Sequence, residues 1–346
     1  MAAKSVWIRL PRHVLVGDGA IDRVGDVLSD LGLDGRALVI TSPTPREVAA
    51  GTVLDEIDDV EVVVIESPNA ETIERVTEAG ADADYLVGVG GGSPIDVAKL
   101  VSERLDVRFL AVPTTASHDG IASGRASIPD GEHRHSIAAA PPLAVVADTG
   151  IIANAPWELT TAGCADVISN YTAVNDWKLA HRLRNEPHSE YASALSEMTA
   201  EMLVENAPSI KPGHPDAAWI VLKALVSSGV AMSIANSSRP ASGAEHLISH
   251  QLDRIAPGRA LHGHQVGVAA IVTAYLQTGE ANDWRRIREA LVSLDAPSTA
   301  AELDIEAAEF IKAMTTAHEI RDRFTILGDG ITQHAAKEAA AVTGVI

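Results

Sequence analysis

Up to about residue 150 the chain alternates short β-branched runs with helix-like stretches, and beyond that point strand-like runs almost vanish. Ala37 to Thr41, Val60 to Glu66, Tyr85 to Val89 and Phe109 to Val112 read as strands, with Pro45 to Leu54 and Ala70 to Ala79 reading as helices between them. Such alternation demands crossover connections, so it predicts parallel βαβ units and a twisted open sheet. Arg125 to Val146 reads as a hairpin or irregular excursion that closes on the apolar Leu143 to Ala147. After Asp148, Ala-, Leu- and Glu-rich stretches carry a helical period, and Pro156, Pro187, Pro208 to Pro215, Pro240, Pro257-Gly258 and Pro297 divide them into about seven helices. The expected fold class is α/β: a parallel-sheet domain over residues 1–150 and an all-helical domain over 151–346, joined by a tight hinge beside a cleft.

Composition narrows the chemistry. Aromatic residues make up 3% of the chain, so the cores must be built from Ala, Val, Leu and Ile, which suits layered α/β and helical packing. The one cysteine, Cys164, excludes an internal disulfide framework and any metal site made of several thiolates. A formal charge of -20 argues against binding nucleic acid through its phosphates. Basic residues number 27 and only a minority are lysine, which together with the acidic excess suggests a protein adapted to high salt. No run reads as a continuous apolar span of bilayer length, and the start, Met-Ala-Ala-Lys-Ser-Val-Trp, lacks the apolar core of a signal peptide. The expectation is a soluble, cytoplasmic protein.

Tyr85 to Lys99 places a strand, three consecutive glycines (Gly90, Gly91, Gly92) and a helix start within fifteen residues. Ser93 suits the N-cap and Pro94 the first helical position. Side-chain-free backbone approaches a ligand closely, and the free N–H groups of a helix start attract an anion, so the turn is a candidate pyrophosphate cradle. It is neither Gly-x-Gly-x-x-Gly nor a nucleotide-hydrolysing P-loop, and the dinucleotide site it suggests is a nonstandard one. Phe109 to Gly120 leaves a strand at the same carboxyl edge and turns into Thr114, Thr115, Ala116, Ser117, His118 and Asp119. The last three are not a catalytic triad, since consecutive side chains diverge.

In the helical half, His246 and His250 stand four residues apart, and His262 follows a Pro257-Gly258 break. Ser242 and Glu245 carry a capping-box signature, so a helix is expected from Gly243 with both histidines on one face. Spacing alone does not make a metal site, and the segment is not His-Glu-x-x-His.

Taken in order, Gly-Gly-Gly-Ser-Pro-Ile-Asp, Pro-Thr-Thr-Ala-Ser-His-Asp-Gly, Ala162-Gly-Cys-Ala-Asp166-Val-Ile-Ser-Asn170, Ser-Gly-Ala-Glu-His-Leu-Ile-Ser-His and Leu261-His-Gly-His264 resemble the archaeal sn-glycerol-1-phosphate dehydrogenase family. The resemblance runs from Leu10-Pro-Arg12 to at least His264, and the wider superfamily includes glycerol dehydrogenases, iron-type alcohol dehydrogenases and dehydroquinate synthases. It implies an N-terminal dinucleotide-binding domain and a helical metal and substrate domain. Asp166, His246 and His262 would be the metal ligands, usually for zinc, with His250, Asp119 and Asp166 as catalytic and substrate contacts. Gly92, Ser93, Pro94, Ile95, Asp96, Thr114, Thr115, Ala116, Ser117 and Ser123 would contact NAD(H) or NADP(H).

The implied reaction is the reversible reduction of dihydroxyacetone phosphate to sn-glycerol 1-phosphate, which supplies the backbone of archaeal membrane phospholipids. Alternatives on the same scaffold are an NAD-dependent glycerol dehydrogenase, a dehydroquinate-synthase-like lyase and a non-catalytic NAD-binding sensor. Asn170, Lys178, Arg239 and His264 are candidates for holding the phosphate. Thr41 and Ser42, after the first strand read, carry no acid that would repel a 2'-phosphate, so the choice of NADH or NADPH stays open, and so does a homo-oligomer.

Overall fold

The computed structural model describes residues 7–130, 133–279, 281 and 283–346. Its main sheet holds six strands, β1 His13–Gly17, β2 Ala37–Thr41, β3 Val60–Val64, β4 Tyr85–Gly90, β5 Arg108–Pro113 and β8 Ala144–Asp148, while β6 Arg125–Asp130 and β7 His133–Ala138 form a separate antiparallel hairpin. The order is β1-β8-β5-β4-β2-β3, and every pairing is parallel.

Alternation along the strands explains the layers. Leu38, Ile40, Leu86, Phe109 and Ala111 face one apolar cluster, whereas Val39, Val87, Leu110 and Val112 face another. Both faces of β2 are therefore buried, as a central parallel strand requires. Helices α1 Val24–Leu31, α2 Pro43–Pro45, α3 Gly51–Asp55, α4 Ala70–Ala79 and α5 Gly92–Leu105 supply the covers. The stretch read as one helix from Pro45 to Leu54 is α2 and α3 joined by a π-helical turn, Arg46–Ala50. Strand β1 escapes a reading of the sequence because it is an edge strand with a half-exposed pattern, Val14 being 44% exposed.

From Thr149 onward the described residues hold only helices and loops: α6 Thr149–Ala153, α7 Trp157–Ile168, α8 Asn170–Arg184, α9 Glu190–Asn206, α10 Pro215–Ala235, α11 Ala244–Ile255, α12 His262–Thr278, α13 Asp283–Ser293, α14 Ala307–Thr316 and α15 Gln333–Val342. These are ten α-helices against about seven expected, because some boundaries lack the proline signal. Asp148 caps α6 through the N–H groups of Gly150 and Ile151, and only Ser169 separates α7 from α8. Asp148 Oδ2 also accepts the N–H of Ile21 at 3.3 Å, which fastens the junction to the segment before α1.

Helix α10 corrects the reading that no bilayer-length apolar segment exists. By length and composition it could cross a membrane, with a mean hydropathy of 1.7 over its most apolar stretch. Asp216 and Lys223 mask it in the sequence. Val221, Leu222 and Leu225 are fully buried in the larger apolar cluster, which places α10 as a core helix. That cluster runs without a break from the sheet to the helices, joining Leu86 and Phe109 to Leu222 and Leu247. The first six residues, on which the absence of a signal peptide was read, lie outside the described part.

Candidate active site

Strands β4 and β5 are neighbours, with Gly90 in register with Pro113 and the N–H of Thr114 bonded to the carbonyl of Gly90 at 3.0 Å. Their two following loops therefore open side by side at the carboxyl edge of the sheet, where open α/β folds bind ligands. Helix α5 begins at Gly92 with Gly91 as its N-cap, so Ser93 and Pro94 sit deeper in the first turn than expected. Close packing forces this: a Cβ on Gly92 would lie 2.2 Å from His118 Nε2, and one on Gly91 would lie 3.2 Å from Thr115 Oγ1. The fully buried Lys99 then binds the second loop to the hairpin, donating from Nζ to Gly120 O at 2.7 Å and Arg125 O at 2.5 Å.

Across the cleft, α7 carries Asp166, which is buried at 4% exposure rather than lying on a helix surface. Its Oδ2 accepts the N–H of Asp119 at 3.3 Å, and its Oδ1 lies 3.4 Å from His246 Nε2. Two small residues allow this approach. A Cβ on Gly163 would meet Ala116 O at 1.9 Å, and one on Gly263 would meet Ala162 O at 2.0 Å.

Asp166, His246 and His262 offer ligand atoms that all lie within 4.8 Å of one another. Both rings are already oriented. His246 Nδ1 lies 3.0 Å from Glu245 Oε1, and His262 Nδ1 lies 3.0 Å from Ser249 Oγ. Ser249 spends its proton on Gln265 Oε1 at 2.7 Å, so it accepts from His262. Each Nδ1 is thus assigned as the donor, which leaves each Nε2 as the lone-pair nitrogen a metal needs. With two nitrogens and a carboxylate, the set fits a catalytic zinc that keeps a position open. Burial opposes a charge on His246, yet Asp166 and Glu245 outweigh it and raise the imidazole to about 9, so a metal must displace a proton there. A second set, His250, Asp253 and His262, also brings its ligand atoms within 4.8 Å, but it shares His262, and His250 Nδ1 has no partner among the described residues.

Glu245 and Ser249 were missed as functional residues, though both stand within the block that carries the histidines. Glu245 looked like half of a capping box, and that box does not form. Its carboxylate accepts the N–H of Gly243 at 2.5 Å and the hydroxyl of Thr172 at 2.8 Å, while Ser242 Oγ accepts from Arg321 at 2.8 Å. Helix α11 starts at Ala244 with Gly243 as a cap that makes no side-chain bond.

A sequence profile described as iron-containing alcohol dehydrogenase matches residues 15–156. Over their full lengths, this chain and the NAD(P)+ glycerol-1-phosphate dehydrogenase of Natronomonas pharaonis are 63% identical. The same-named protein of Methanothrix thermoacetophila is 54% identical, covering 98% of this chain and 97% of its own. The chain belongs to the glycerol-1-phosphate dehydrogenase family. Among solved structures, a probable glycerol dehydrogenase from Sinorhizobium meliloti superposes with a TM-score of 0.81 at 22% identity, covering 98% of both chains, and glycerol dehydrogenase from Schizosaccharomyces pombe gives 0.81 at 18%, covering 99% and 91%. These neighbours share the fold: a parallel sheet followed by helices.

In this family member a cavity of about 440 Å³ is lined by Asp119, Asp166, His246, His250 and His262, and also by Gly92, Ser93, Asp96, Ser117 and Ser123 from the expected nucleotide set. Pro94, Ile95, Thr114 and Ala116 do not line it; they are buried beneath the loops, and the Ile95 side chain belongs to the sheet core. Thr115 is partly exposed outside the cavity lining. Asp96 is engaged with Lys99 and with the N–H of Ser127 at 3.0 Å, which occupies its carboxylate in holding the hairpin. Ser123 Oγ is buried without a partner among the described residues.

None of the four phosphate candidates lines this cavity. Asn170 donates to Ser228 at 3.1 Å, Lys178 pairs with Glu197 at 2.5 Å, Arg239 is held by Glu186, and His264 bonds Thr161 at 2.8 Å. Arg125 and Arg321 line it instead. Nothing in their local sequence marked them, because neither stands in a recognisable motif.

Proposed function

We propose that this chain reduces dihydroxyacetone phosphate reversibly to sn-glycerol 1-phosphate with NADH or NADPH, in the cytoplasm, to supply the backbone of archaeal membrane lipids. The observation that carries the reading is the trio Asp166, His246 and His262 with both ring tautomers tied off, in a chain 63% identical throughout to NAD(P)+ glycerol-1-phosphate dehydrogenases. Residues 1–150 would form the nucleotide domain and 151–346 the metal and substrate domain.

Zinc held by this trio would supply Lewis acidity at the substrate carbonyl, and a reduced nicotinamide would supply the hydride. Asp119, whose N–H is bonded to Asp166, would serve the substrate from beside this trio. Its Oδ2 accepts from Ser228 at 2.8 Å, and burial first, then the neighbouring Asp166 charge, push its carboxyl up to about 7. Such a group can hold a substrate hydroxyl as donor or as acceptor near neutral pH. His250 is kept neutral by burial and by the charges of His262 and Arg321, and its unpartnered Nδ1 is the atom through which it would orient the substrate or pass a proton. The side-chain-free Gly91–Gly92 turn and the N-terminus of α5 would receive the pyrophosphate.

Nicotinamide absorbance tests the assignment. Stoichiometric loss of NADH or NADPH is expected with dihydroxyacetone phosphate. Turnover only with glycerol or dihydroxyacetone would make this a glycerol dehydrogenase, and tightly retained NAD with no net absorbance change would favour the lyase.

A further inference from the structure

A dianionic substrate needs positive charge in a chain that carries 47 acidic against 27 basic residues. At this cavity the charge comes from two guanidinium groups far apart in sequence. Arg321 lies in the irregular segment between α14 and α15, and Arg125 opens strand β6.

Neither has a carboxylate within ion-pair distance among the described residues, whereas Arg239 is pinned by Glu186, and Arg286 by Glu201 at 2.6 Å. Arg125 makes no side-chain hydrogen bond among those residues. Arg321 makes one, from Nη2 to Ser242 Oγ at 2.8 Å, and its Nε is buried without a partner. A buried donor left unmade is costly, and a guanidinium left unneutralised more so, unless an anion arrives.

The placement puts both guanidinium groups in the cavity of the Asp166, His246 and His262 trio, where the substrate would lie, and His250 lines the same cavity. Arg323 stands behind, spending its two Nη groups on Ser242 O and Ser238 Oγ and so fixing the serine to which Arg321 is bonded. With Nη2 anchored, Nε and Nη1 remain as donors for phosphate oxygens, a geometry lysine does not reproduce.

We propose that Arg321, assisted by Arg125, binds the phosphate monoester of the substrate and sets the preference for a phosphorylated ketone. This rests on the substrate reading above. Arg321 is a binding residue, not a participant in hydride transfer.

The test is steady-state kinetics of the zinc-loaded wild type, Arg321→Gln, Arg321→Lys and Arg125→Gln, with dihydroxyacetone phosphate, dihydroxyacetone, NADH and NADPH, and with inorganic phosphate as inhibitor. Arg321→Gln should raise KM for dihydroxyacetone phosphate about 30-fold or more, and Arg125→Gln several-fold, about 5. Inorganic phosphate should compete with dihydroxyacetone phosphate in the wild type and lose potency in both variants. Turnover of dihydroxyacetone and KM for either nucleotide should stay within about twofold, and Arg321→Lys should recover part of the loss. Unchanged KM for the phosphorylated substrate overturns the proposal, as does a rise confined to NADPH or to both nucleotides, which would assign the arginines to the cofactor. If Arg321→Gln does not fold, Arg125→Gln decides alone, since its side chain holds no hydrogen bond among the described residues. A wild type that fails to reduce dihydroxyacetone phosphate defeats the substrate reading itself; one that succeeds while the variants match it defeats only the role of the arginines.

Discussion

The main-chain N–H of Asp119 donates to Asp166 Oδ2 at 3.3 Å, so the loop after β5 and helix α7 meet through a carboxylate that also lies 3.4 Å from His246. The proposed metal ligand, the proposed substrate group and the candidate nucleotide loop are thereby held to one geometry. Replacing Asp119 by Asn keeps that N–H and removes only the side-chain charge. The expected result is a fall of about 10- to 100-fold in kcat/KM for dihydroxyacetone phosphate with zinc content unchanged. Wild-type kinetics in the variant would remove Asp119 from the substrate's surroundings.

Gly163 keeps the same contact close, because its absent Cβ would sit 1.9 Å from the carbonyl oxygen of Ala116. Ala in place of Gly usually stabilises a helix interior by about 1 kcal/mol. Here the sign reverses, since two backbones must part: Gly163→Ala should cost about 2 kcal/mol and raise KM for the nucleotide through the displaced 114–117 loop. Gly51, where an added Cβ would meet nothing within 4 Å and φ is negative, is the control, and Gly51→Ala should be neutral or stabilise by about 0.5 kcal/mol. Thermal melts of the two variants moving in the same direction would contradict this account of the packing.

Glu245 and Ser249 hold the Nδ1 atoms of the two histidines proposed as metal ligands. Glu245→Gln and Ser249→Ala should each weaken zinc binding about 10- to 100-fold, read by competition with a fluorescent chelator, while leaving the protein folded. Equal zinc affinity in wild type and both variants would mean that the rings are oriented by something else.

The acidic surface makes a separate claim. At a formal charge of -20, self-repulsion in dilute buffer should be relieved by screening, so the melting temperature and activity should rise from low salt to molar KCl. Full stability and activity in dilute buffer, with no gain on adding salt, would argue against adaptation to a saline cell.

How much of the fold and site is legible in the sequence depends on whether the signal is local. Strand β2 and helix α4 can be read to the residue, because a buried parallel strand is continuously apolar and an amphipathic helix repeats. The glycine turn and the histidine block are visible since chemistry and local geometry coincide there. Helix starts are misplaced where tertiary contacts prevail: at Gly91 and Gly92 the crowding by Thr115 and His118 moves the cap, and at Glu245 the carboxylate that a capping box would have used is taken by Gly243, Thr172 and His246. Arg321 and Arg125 are invisible for the opposite reason. Their meaning lies in having no carboxylate within ion-pair distance among the described residues, and only the folded chain shows which of the 47 acidic residues keep that distance.

The most direct test of the central claim is chiral analysis of the product formed from dihydroxyacetone phosphate by zinc-loaded enzyme, chelator-stripped enzyme and stripped enzyme given zinc again. The account predicts sn-glycerol 1-phosphate alone, activity lost on stripping and restored by zinc; sn-glycerol 3-phosphate as product, or full activity without metal, would contradict it.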